Sequence, residues 1–474
     1  MADNTGADAV SSVRRRRLIF NCDGFGVFHD AQGDYYRWIQ NIFGPLEDSQ
    51  VEALFWCDGA GGNTAYYDSA VLELTGQRLG KVPPFLRRLI DEGRDPPKVI
   101  VREARKRGLD VFYSFRINDV HDDFLPDEFP TFKEQHPEWM LGEGYPYGIK
   151  TGLNFAIPEV RQLKLAVIQE IVRKYDFDGL EIDFLRSAPY FVPGDEPQYA
   201  HVLTDLLREV RRTLRQRGQE RGRPIALAVR VDENLDACRL DGFDVATWIR
   251  DGLVDIVILG SGAIDIEIEG FKMLAEGTGV LVYPCLYGWP SKYVPLPAEL
   301  ARGLASNYWY QGADGIYLFN WFPHEANKSY LIPLLSEISS PATLRGKPLM
   351  FAADRGRPQC EYPHNWLQAA LPETLAAREY VNVPLMVGAD LSQPVPSVLN
   401  LVITCERLTS DDALAVQLNN KLLSVGPSTR SRSGMTIPLR PEEVKRGRNQ
   451  VNILVTSGGV TVTAVELHVD YGRA

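Results

Sequence analysis

Closely spaced cysteines are missing from this sequence of 474 residues. Its six cysteines are scattered and none stands in a CxxC pair, which argues against a disulfide framework and against a zinc finger. No apolar run is long enough to span a bilayer. The formal net charge is −11, so nucleic acid and anionic membranes are not expected as partners, because their phosphates would be repelled.

Motifs for several common cofactors and nucleophiles are also missing. The sequence has no glycine-rich phosphate loop and no Gly-x-Ser-x-Gly elbow, and no cofactor or metal is predicted. The apolar residues that follow Arg14–Arg17 end already at Asn21, too soon for the apolar core of a signal peptide, so none is recognised. We expect a cytoplasmic chain as written, or a periplasmic or secreted one if an export signal has been removed. The oligomeric state is not fixed by the sequence, and a homo-oligomer is compatible with it.

What the first two thirds of the chain do contain is a series of short apolar runs separated by amphipathic segments. There are eight such runs: Leu18–Asp23, Val51–Asp58, Leu109–Asn118, Phe177–Leu185, Ile225–Val231, Val254–Gly260, Val280–Tyr287 and Gly312–Trp321. Their composition is typical of strands covered on both faces. Eight βα units predict an α/β fold, a (β/α)₈ TIM barrel over residues 18–340. An open doubly wound sheet is the alternative.

The remainder of the chain follows another pattern. We expect a disordered tail over residues 1–17, a linker over 341–380 with a short helix near Asn365–Leu371, and an all-β sandwich as accessory domain over 381–474. The sandwich is predicted from seven strand-like stretches with turn signals between them. Packing on the barrel is the expected role of the sandwich, and polysaccharide binding is the alternative.

Polar residues lie at the carboxyl ends of the predicted barrel strands, where active sites of this fold are found. By the alternation of side chains along each strand, these residues are expected to point inward. The predicted site has catalytic candidates Asp183, Glu233 and Asp232, and substrate-binding candidates Asp23, Asp58, Arg116, Asn118, His121, Glu181, Arg186, Arg230, Tyr287, Trp289, Asn320 and Trp321. Tyr317 is expected to point outward into the core. Long loops at 59–96 and 119–157 should surround the site, and the second carries Trp139, Tyr145 and Tyr147 as a possible sugar-stacking rim.

The fourth run carries the most specific motif. Its sequence Asp178-Gly179-Leu180-Glu181-Ile182-Asp183 is similar to the D-G-x-D-x-D-x-E motif of chitinase-type barrels, but Glu181 replaces an Asp and Leu185 replaces the proton-donating Glu. The chain more closely resembles the glycosyl-hydrolase-like barrels described as family-10-like, over most of residues 98–260. Five segments carry that resemblance: Arg102–Val111, His136–Trp139, Leu153–Arg161, Tyr175–Phe184 and Trp248–Asp255. It implies a TIM-barrel sugar hydrolase whose substrate is unspecified.

Glycoside hydrolysis needs a proton-donating acid and a second carboxylate. We assign Asp183 as nucleophile or oxocarbenium stabiliser and Glu233, or else Asp232, as the acid. Glu181 should orient Asp183 or bind a sugar hydroxyl, and Asp23 and Asp58 are alternative acids.

Three arginines at strand ends leave the charge of the substrate open. Arg116, Arg186 and Arg230 either clamp an anionic saccharide or neutralise neighbouring carboxylates. The sequence thus predicts a glycoside hydrolase acting on an oligo- or polysaccharide. One alternative is a non-catalytic carbohydrate-binding barrel. Another is a metal-dependent barrel isomerase or hydrolase, with ligands drawn from Asp58, His121, Glu181, Asp183, Asp232 and His324.

Overall fold

The structure is a computed structural model that describes residues 13–59, 61–142, 150–356, 369–406, 408–409, 412–426 and 429–472. Several of the sequence predictions fall partly outside these ranges, among them the tail expected over residues 1–17, of which 1–12 are not described. Most of the short helix expected near Asn365–Leu371 lies in 357–368, and the rim residues Tyr145 and Tyr147 lie in 143–149.

Eight parallel strands form a closed barrel in sequence order. They are β1 Leu18–Asp23, β2 Val51–Cys57, β3 Asp110–Arg116, β4 Gly179–Asp183, β5 Ala226–Val231, β6 Ile256–Leu259, β7 Leu281–Tyr287 and β8 Ile316–Phe319. The last strand pairs with the first, Leu18 facing Ile316. The predicted TIM barrel is confirmed, and each strand lies within its predicted apolar run.

Helices cover the outside of the barrel. They are α1 Gly24–Asp30, α2 Tyr35–Phe43, α3 Pro84–Asp91, α4 Pro96–Lys106, α5 Thr131–Gln135, α6 Pro158–Lys174, α7 Glu196–Glu220, α8 Leu235–Leu240, α9 Val245–Arg250, α10 Ile268–Ala275, α11 Ala298–Tyr310, α12 Lys328–Glu337 and α13 Pro341–Leu344. Several begin at a proline, which suits the first helical position because its fixed φ is helical and no amide hydrogen is needed there. Others begin after a side-chain cap, as α1 does after Asp23.

Two apolar cores lie on opposite faces of the barrel wall. The interior core is formed by side chains of alternate strand positions, including Ile19, Phe55 and Phe112. The exterior core lies between strands and helices and is formed by the side chains of the remaining strand positions. This assignment corrects two predictions. Trp56 packs outside the barrel, and Tyr317 lies inside it.

The amino-terminal end of the barrel is closed by the arginine run that was predicted to be part of a disordered tail. Arg16 is buried. Its guanidinium Nε donates to Asp110 at 2.7 Å, and its backbone N–H donates to the Tyr283 hydroxyl at 2.8 Å. The prediction of a disordered tail is therefore wrong for Arg16, because its side chain is buried at the end of the barrel and pairs with Asp110. Residues 1–12 lie outside the described part of the chain.

Antiparallel sheets follow the barrel, as predicted. One has the strand order β10-β18-β12-β16-β15 with β9 also pairing with β18, and the other has the order β11-β17-β13-β14. The strands are β9 Leu349–Ala352, β10 Glu373–Ala376, β11 Tyr380–Val387, β12 Val398–Cys405, β13 Ala413–Leu418, β14 Lys421–Leu422, β15 Arg430–Ser431, β16 Gly434–Pro438, β17 Gly447–Ser457 and β18 Gly459–Asp470. Their inward faces share one apolar core. The segment predicted to be a linker supplies β9 and β10.

Candidate active site

The carboxyl ends of β3, β4 and β5 bring three charged residues side by side. In the register of these strands Arg116 faces Asp183, and Asp183 faces Arg230. Residues that face one another on neighbouring strands point to the same side of the sheet, which is here the barrel interior. The predicted convergence of these side chains near the mouth is therefore present, with alternating sign around the wall.

Asp183 is tied to Arg230 by a two-pronged ion pair. Arg230 donates from Nε to Oδ1 at 3.0 Å and from Nη2 to Oδ2 at 2.7 Å. Neither side chain has any exposed surface, and the guanidinium also lies 3.9 Å above the Phe319 ring. The strand end was predicted correctly, but both carboxylate oxygens are occupied and sealed from solvent. This burial gives no support to the catalytic role of Asp183, which stays a prediction.

Asp23, at the end of β1, is the strand-end carboxylate that keeps contact with solvent. Its side chain is 19% exposed and its Oδ2 accepts from Arg116 Nη2 at 3.1 Å. Its Oδ1 accepts from the Phe25 N–H at 3.0 Å and so caps α1. Burial acts to raise the pKa of Asp23, but the charge and hydrogen bond of Arg116 outweigh it and hold that pKa below its ordinary value. Asp23 is thus a stable anion at the mouth.

Glu181 lies one layer below this ring of charges, as predicted. Its Oε1 accepts from the Tyr317 hydroxyl at 2.7 Å, and the carboxylate has no exposed surface. Burial and the negative charge of Asp183 raise the pKa of Glu181 to about 7. Glu181 therefore holds a proton at slightly acidic pH, inside the barrel and out of reach of solvent.

Two residues of the loop after β3, Asp119 and His121, form a chain of three polar side chains with Arg186, which follows β4. Asp119 accepts from His121 Nδ1 at 2.7 Å, and His121 Nε2 lies 2.8 Å from Arg186 Nη2. Because a guanidinium only donates, Nε2 accepts and the proton of the neutral ring is on Nδ1. Burial acts to raise the pKa of Asp119, but the hydrogen bond and charge of His121 together with the charges of Arg116 and Arg186 outweigh it and lower that pKa. Asp119 was not among the predicted site residues, although its position beside Asn118 at a strand end is the signal that could have identified it.

Arg186 has one donor without a partner. Its Nε is buried and has no hydrogen bond among the described residues. Burial and the nearby charge of Arg116 lower the pKa of Arg186, while Asp119, Asp183 and Asp23 act in the opposite direction. Arg186 is thus held in the mouth by few contacts of its own, between three carboxylates.

Aromatic side chains form one wall of the mouth, after β7 and β8. Trp289 is 40% exposed, and its ring lies 5.5 Å from Tyr287 and 5.9 Å from Phe322. Asn320 donates to the Tyr287 hydroxyl at 3.1 Å. The two loops approach closely because Gly288 has no side chain, since a Cβ there would lie 2.1 Å from the Asn320 carbonyl oxygen. Phe322 was not predicted to be part of the site.

Three other predicted binding residues have structural roles. Trp321 packs in the exterior core and donates to the Leu331 carbonyl. Asp58 has outward parity and is buried, its Oδ2 accepting from the Tyr66 N–H at 3.0 Å. Burial raises the pKa of Asp58 to about 7. Asn118 accepts from the Leu153 N–H at 2.8 Å and donates to the Ser187 carbonyl, so it joins the loops after β3 and β4. The structure gives no support to substrate contact by these three residues, because their side chains are buried and make local hydrogen bonds or apolar contacts; their role in binding stays a prediction.

The two predicted proton donors after β5 are both buried. Asp232 has no exposed surface and Glu233 almost none. Glu233 shares the parity of Val229 and Val231, which pack outside the barrel. The role of these acids in proton donation stays a prediction.

The metal-dependent alternative finds no support in the placement of the side chains. Within the described ranges, no three His, Cys, Asp or Glu residues form a group that could hold a metal ion. None of the helices in those ranges is both long and apolar enough to cross a membrane.

Comparison with known families agrees with the motifs of β3 and β4. The model of the family Glycosyl hydrolase-like 10 matches residues 37–202. Over this range the chain is similar to that family. The resemblance predicted from the sequence is confirmed, although the matched range begins and ends earlier than the predicted 98–260. It contains Arg116, His121, Asp183 and Arg186.

A curated relative is the Glycosyl hydrolase YngK of Bacillus subtilis (strain 168). It is 32% identical over 111 residues, which is 22% of this chain and 20% of that protein. The match thus spans only a fifth of the relative's length.

Solved glycosidase structures are similar at a low level. The glycoside hydrolase domain of PgaB (BpsB) from Bordetella bronchiseptica has a TM-score of 0.45 at 10% identity, covering 68% of this chain and 99% of that one. The alpha-L-fucosidase isoenzyme 2 from Paenibacillus thiaminolyticus has a TM-score of 0.43 at 13% identity, covering 72% and 52%.

Proposed function

We propose that the chain is a glycoside hydrolase that cleaves a neutral oligo- or polysaccharide at the mouth of the barrel, with Asp23 as the carboxylate that meets the sugar. The observation that carries this proposal is the contrast between the strand-end acids. Asp23 is ionised, partly exposed and fixed by Arg116, whereas Asp183, Asp232 and Glu233 are sealed. A carboxylate of this kind can stabilise an oxocarbenium-like transition state or attack it.

Proton transfer is assigned to His121. The ring is oriented by Asp119 through Nδ1, and its Nε2 points toward the mouth, where it accepts from Arg186. A carboxylate on one ring nitrogen fixes the tautomer and stabilises the protonated ring, which is the arrangement of a general acid or base. A bound sugar that draws Arg186 away would leave Nε2 to exchange a proton with the glycosidic oxygen or with water.

The neutral substrate follows from the balance of charge. Arg116 and Arg230 are each bound to a carboxylate, and Arg186 lies among Asp119, Asp183 and Asp23. Three arginines are therefore matched by three aspartates, which supports neutralisation over the clamping of an anionic saccharide. The exposed face of Trp289 suits the C–H face of a pyranose ring.

The test is a screen of the protein against neutral, uronic and sulfated glycans, with released reducing ends as the readout. Asp23→Asn and Asp183→Asn are measured beside the wild type at a temperature where both variants are folded by circular dichroism. We expect turnover of a neutral glycan by the wild type and loss of that turnover in Asp23→Asn. Full activity of Asp23→Asn would refute the assignment, and turnover of uronic or sulfated glycans alone would refute the neutral substrate.

A further inference from the structure

The C-terminal sheets reach the mouth of the barrel through a buried carboxylate just beyond β9. Asp354 Oδ2 accepts from the N–H groups of Ile264 and Asp265, at 2.8 and 3.1 Å, in the loop after β6. Its Oδ1 accepts from the Ser291 hydroxyl at 2.7 Å, in the loop after β7. One carboxylate from the accessory domain therefore joins two loops of the barrel mouth.

Ser291 is held in a backbone conformation that is unfavourable for a serine. It is fully buried, and its φ is +46°, a value that residues other than glycine rarely adopt. Its hydroxyl also accepts from the Arg355 N–H at 2.6 Å, and its carbonyl accepts from Arg355 Nε at 3.0 Å. Its N–H donates to the Gly262 carbonyl at 2.7 Å. Strained backbone of this kind persists where surrounding contacts enforce it, and most of those contacts come from Asp354 and Arg355.

A second set of contacts from the sheets holds the same loop two residues further on. The Tyr293 hydroxyl donates to Glu466 Oε1 at 2.7 Å, and Glu466 lies on β18, paired with Ala352 of β9. The Arg355 guanidinium lies 3.5 Å from the centre of the Tyr293 ring. The loop after β7 is thus fastened to the C-terminal sheets at Ser291 and at Tyr293.

Trp289 stands on this loop, two residues before Ser291, with its ring exposed at the mouth. We propose that Asp354 is a positioning residue that acts through Ser291 to hold Trp289 as a sugar-stacking face, so that the C-terminal sheets form part of the substrate site. The stacking role of Trp289 rests on the proposed function. The positioning of its ring by Asp354 does not, and it is tested separately.

The positioning is measured in protein carrying 5-fluorotryptophan, with the ¹⁹F resonance of Trp289 assigned by its absence in Trp289→Phe. The variants are Ser291→Ala, which removes one hydroxyl, and Asp354→Ala. The matched control is Asn307→Ala, because Asn307 also bonds the barrel to the sheets, at Met386 and Gly388, but does so from within α11 and not from the loop itself. We expect the Trp289 resonance to shift or broaden in both test variants and to stay unchanged in the control.

Catalysis gives the second readout, on the glycan found by the screen. We expect the KM of Ser291→Ala to rise about threefold to tenfold toward that of Trp289→Ala, with kcat within about twofold, because a stacking contact contributes to binding on this scale. A Trp289 resonance unchanged in both Ser291→Ala and Asp354→Ala would overturn the positioning role, whether or not a substrate is known. A shifted resonance with an unchanged KM would overturn the part played by the sheets in the substrate site. Absence of any turnover by the wild type would contradict the proposed function and leave the ¹⁹F result to decide the positioning role.

Discussion

Replacing Asp183 by Asn should act mainly on the stability of the barrel. The free energy of unfolding should fall, whereas the chemistry at the mouth should change little. The carboxylate is the partner of Arg230, and both side chains are without exposed surface. Asn has nearly the same shape but no charge, so Arg230 would remain buried with its charge uncompensated. Removing one partner of a buried ion pair costs about 3–5 kcal/mol.

The assay is urea unfolding at neutral pH, followed by circular dichroism, with Asp23→Asn as the matched variant. Asn keeps the cap on α1 because Asn and Asp cap helices about equally well. Asp23 is itself partly exposed, and the buried Arg116 keeps the charges of Asp119 and Asp183 nearby, so the loss of the Asp23 charge should cost less, about 1–2 kcal/mol. The predicted order is therefore a large loss of stability in Asp183→Asn and a small one in Asp23→Asn.

A double variant separates the missing partner from general damage. Asp183→Leu combined with Arg230→Met removes both charges, and replacing a buried pair by apolar residues is often neutral or stabilising. We expect the double variant to be more stable than Asp183→Leu alone. The contrary result has three parts: the free energy of unfolding of Asp183→Asn lies within about 1 kcal/mol of the wild-type value, this variant has no activity, and Asp23→Asn is active. In that case the structural assignment is wrong, and Asp183 is the catalytic carboxylate predicted from the sequence.

Three further predictions concern the interior, the closed end and the mouth of the barrel. The pKa of Glu181 lies at about 7 in the folded chain against an ordinary 4.5, so the unfolded chain loses this proton first and the group should cost up to about 3 kcal/mol of stability as pH rises from about 4.5 to about 7. Urea unfolding of Glu181→Gln should show a slope smaller by this amount, the remaining slope coming from groups such as Asp58, whose pKa is also raised to about 7; parallel profiles of the variant and the wild type would be the contrary result. Arg16→Ala should lower the free energy of unfolding by about 2–4 kcal/mol and the exposed Arg14→Ala by less than about 1 kcal/mol, and equal effects would contradict the buried role of Arg16. Gly61 has φ +106° and a Cβ there would lie 2.8 Å from the Arg116 side chain, so Gly61→Ala should cost about 1–3 kcal/mol and reduce turnover, whereas wild-type turnover and stability would show that the loop is free to move.

The barrel could be predicted from the sequence because its signal is repeated. Eight apolar runs with helical segments between them leave few alternatives, since parallel strands need crossovers and both faces must be covered. The motif from Asp178 to Asp183 gave both the fourth strand and the resemblance to the family. The strand-end positions of Asp23, Arg116 and Arg230 followed from the same pattern.

The sequence pattern was less reliable for the orientation of side chains along each strand and for their burial. One residue of error at the end of β2 put Trp56 and Asp58 inside, although they face the helices. Side-chain alternation also cannot show that a carboxylate is captured by an arginine from the next strand, as Asp183 is by Arg230. The link from Asp354 to Ser291 joins residues 63 positions apart in the chain, and no local pattern marks it.

Azide rescue can decide whether Asp23 is the carboxylate that meets the sugar. Asp23→Ala should not cleave the glycan turned over by the wild type, and added azide, a small anion that fits the vacated space, should restore cleavage and yield a glycosyl azide. Cleavage by Asp23→Ala without azide, or rescue of Asp183→Ala in its place, would contradict the account.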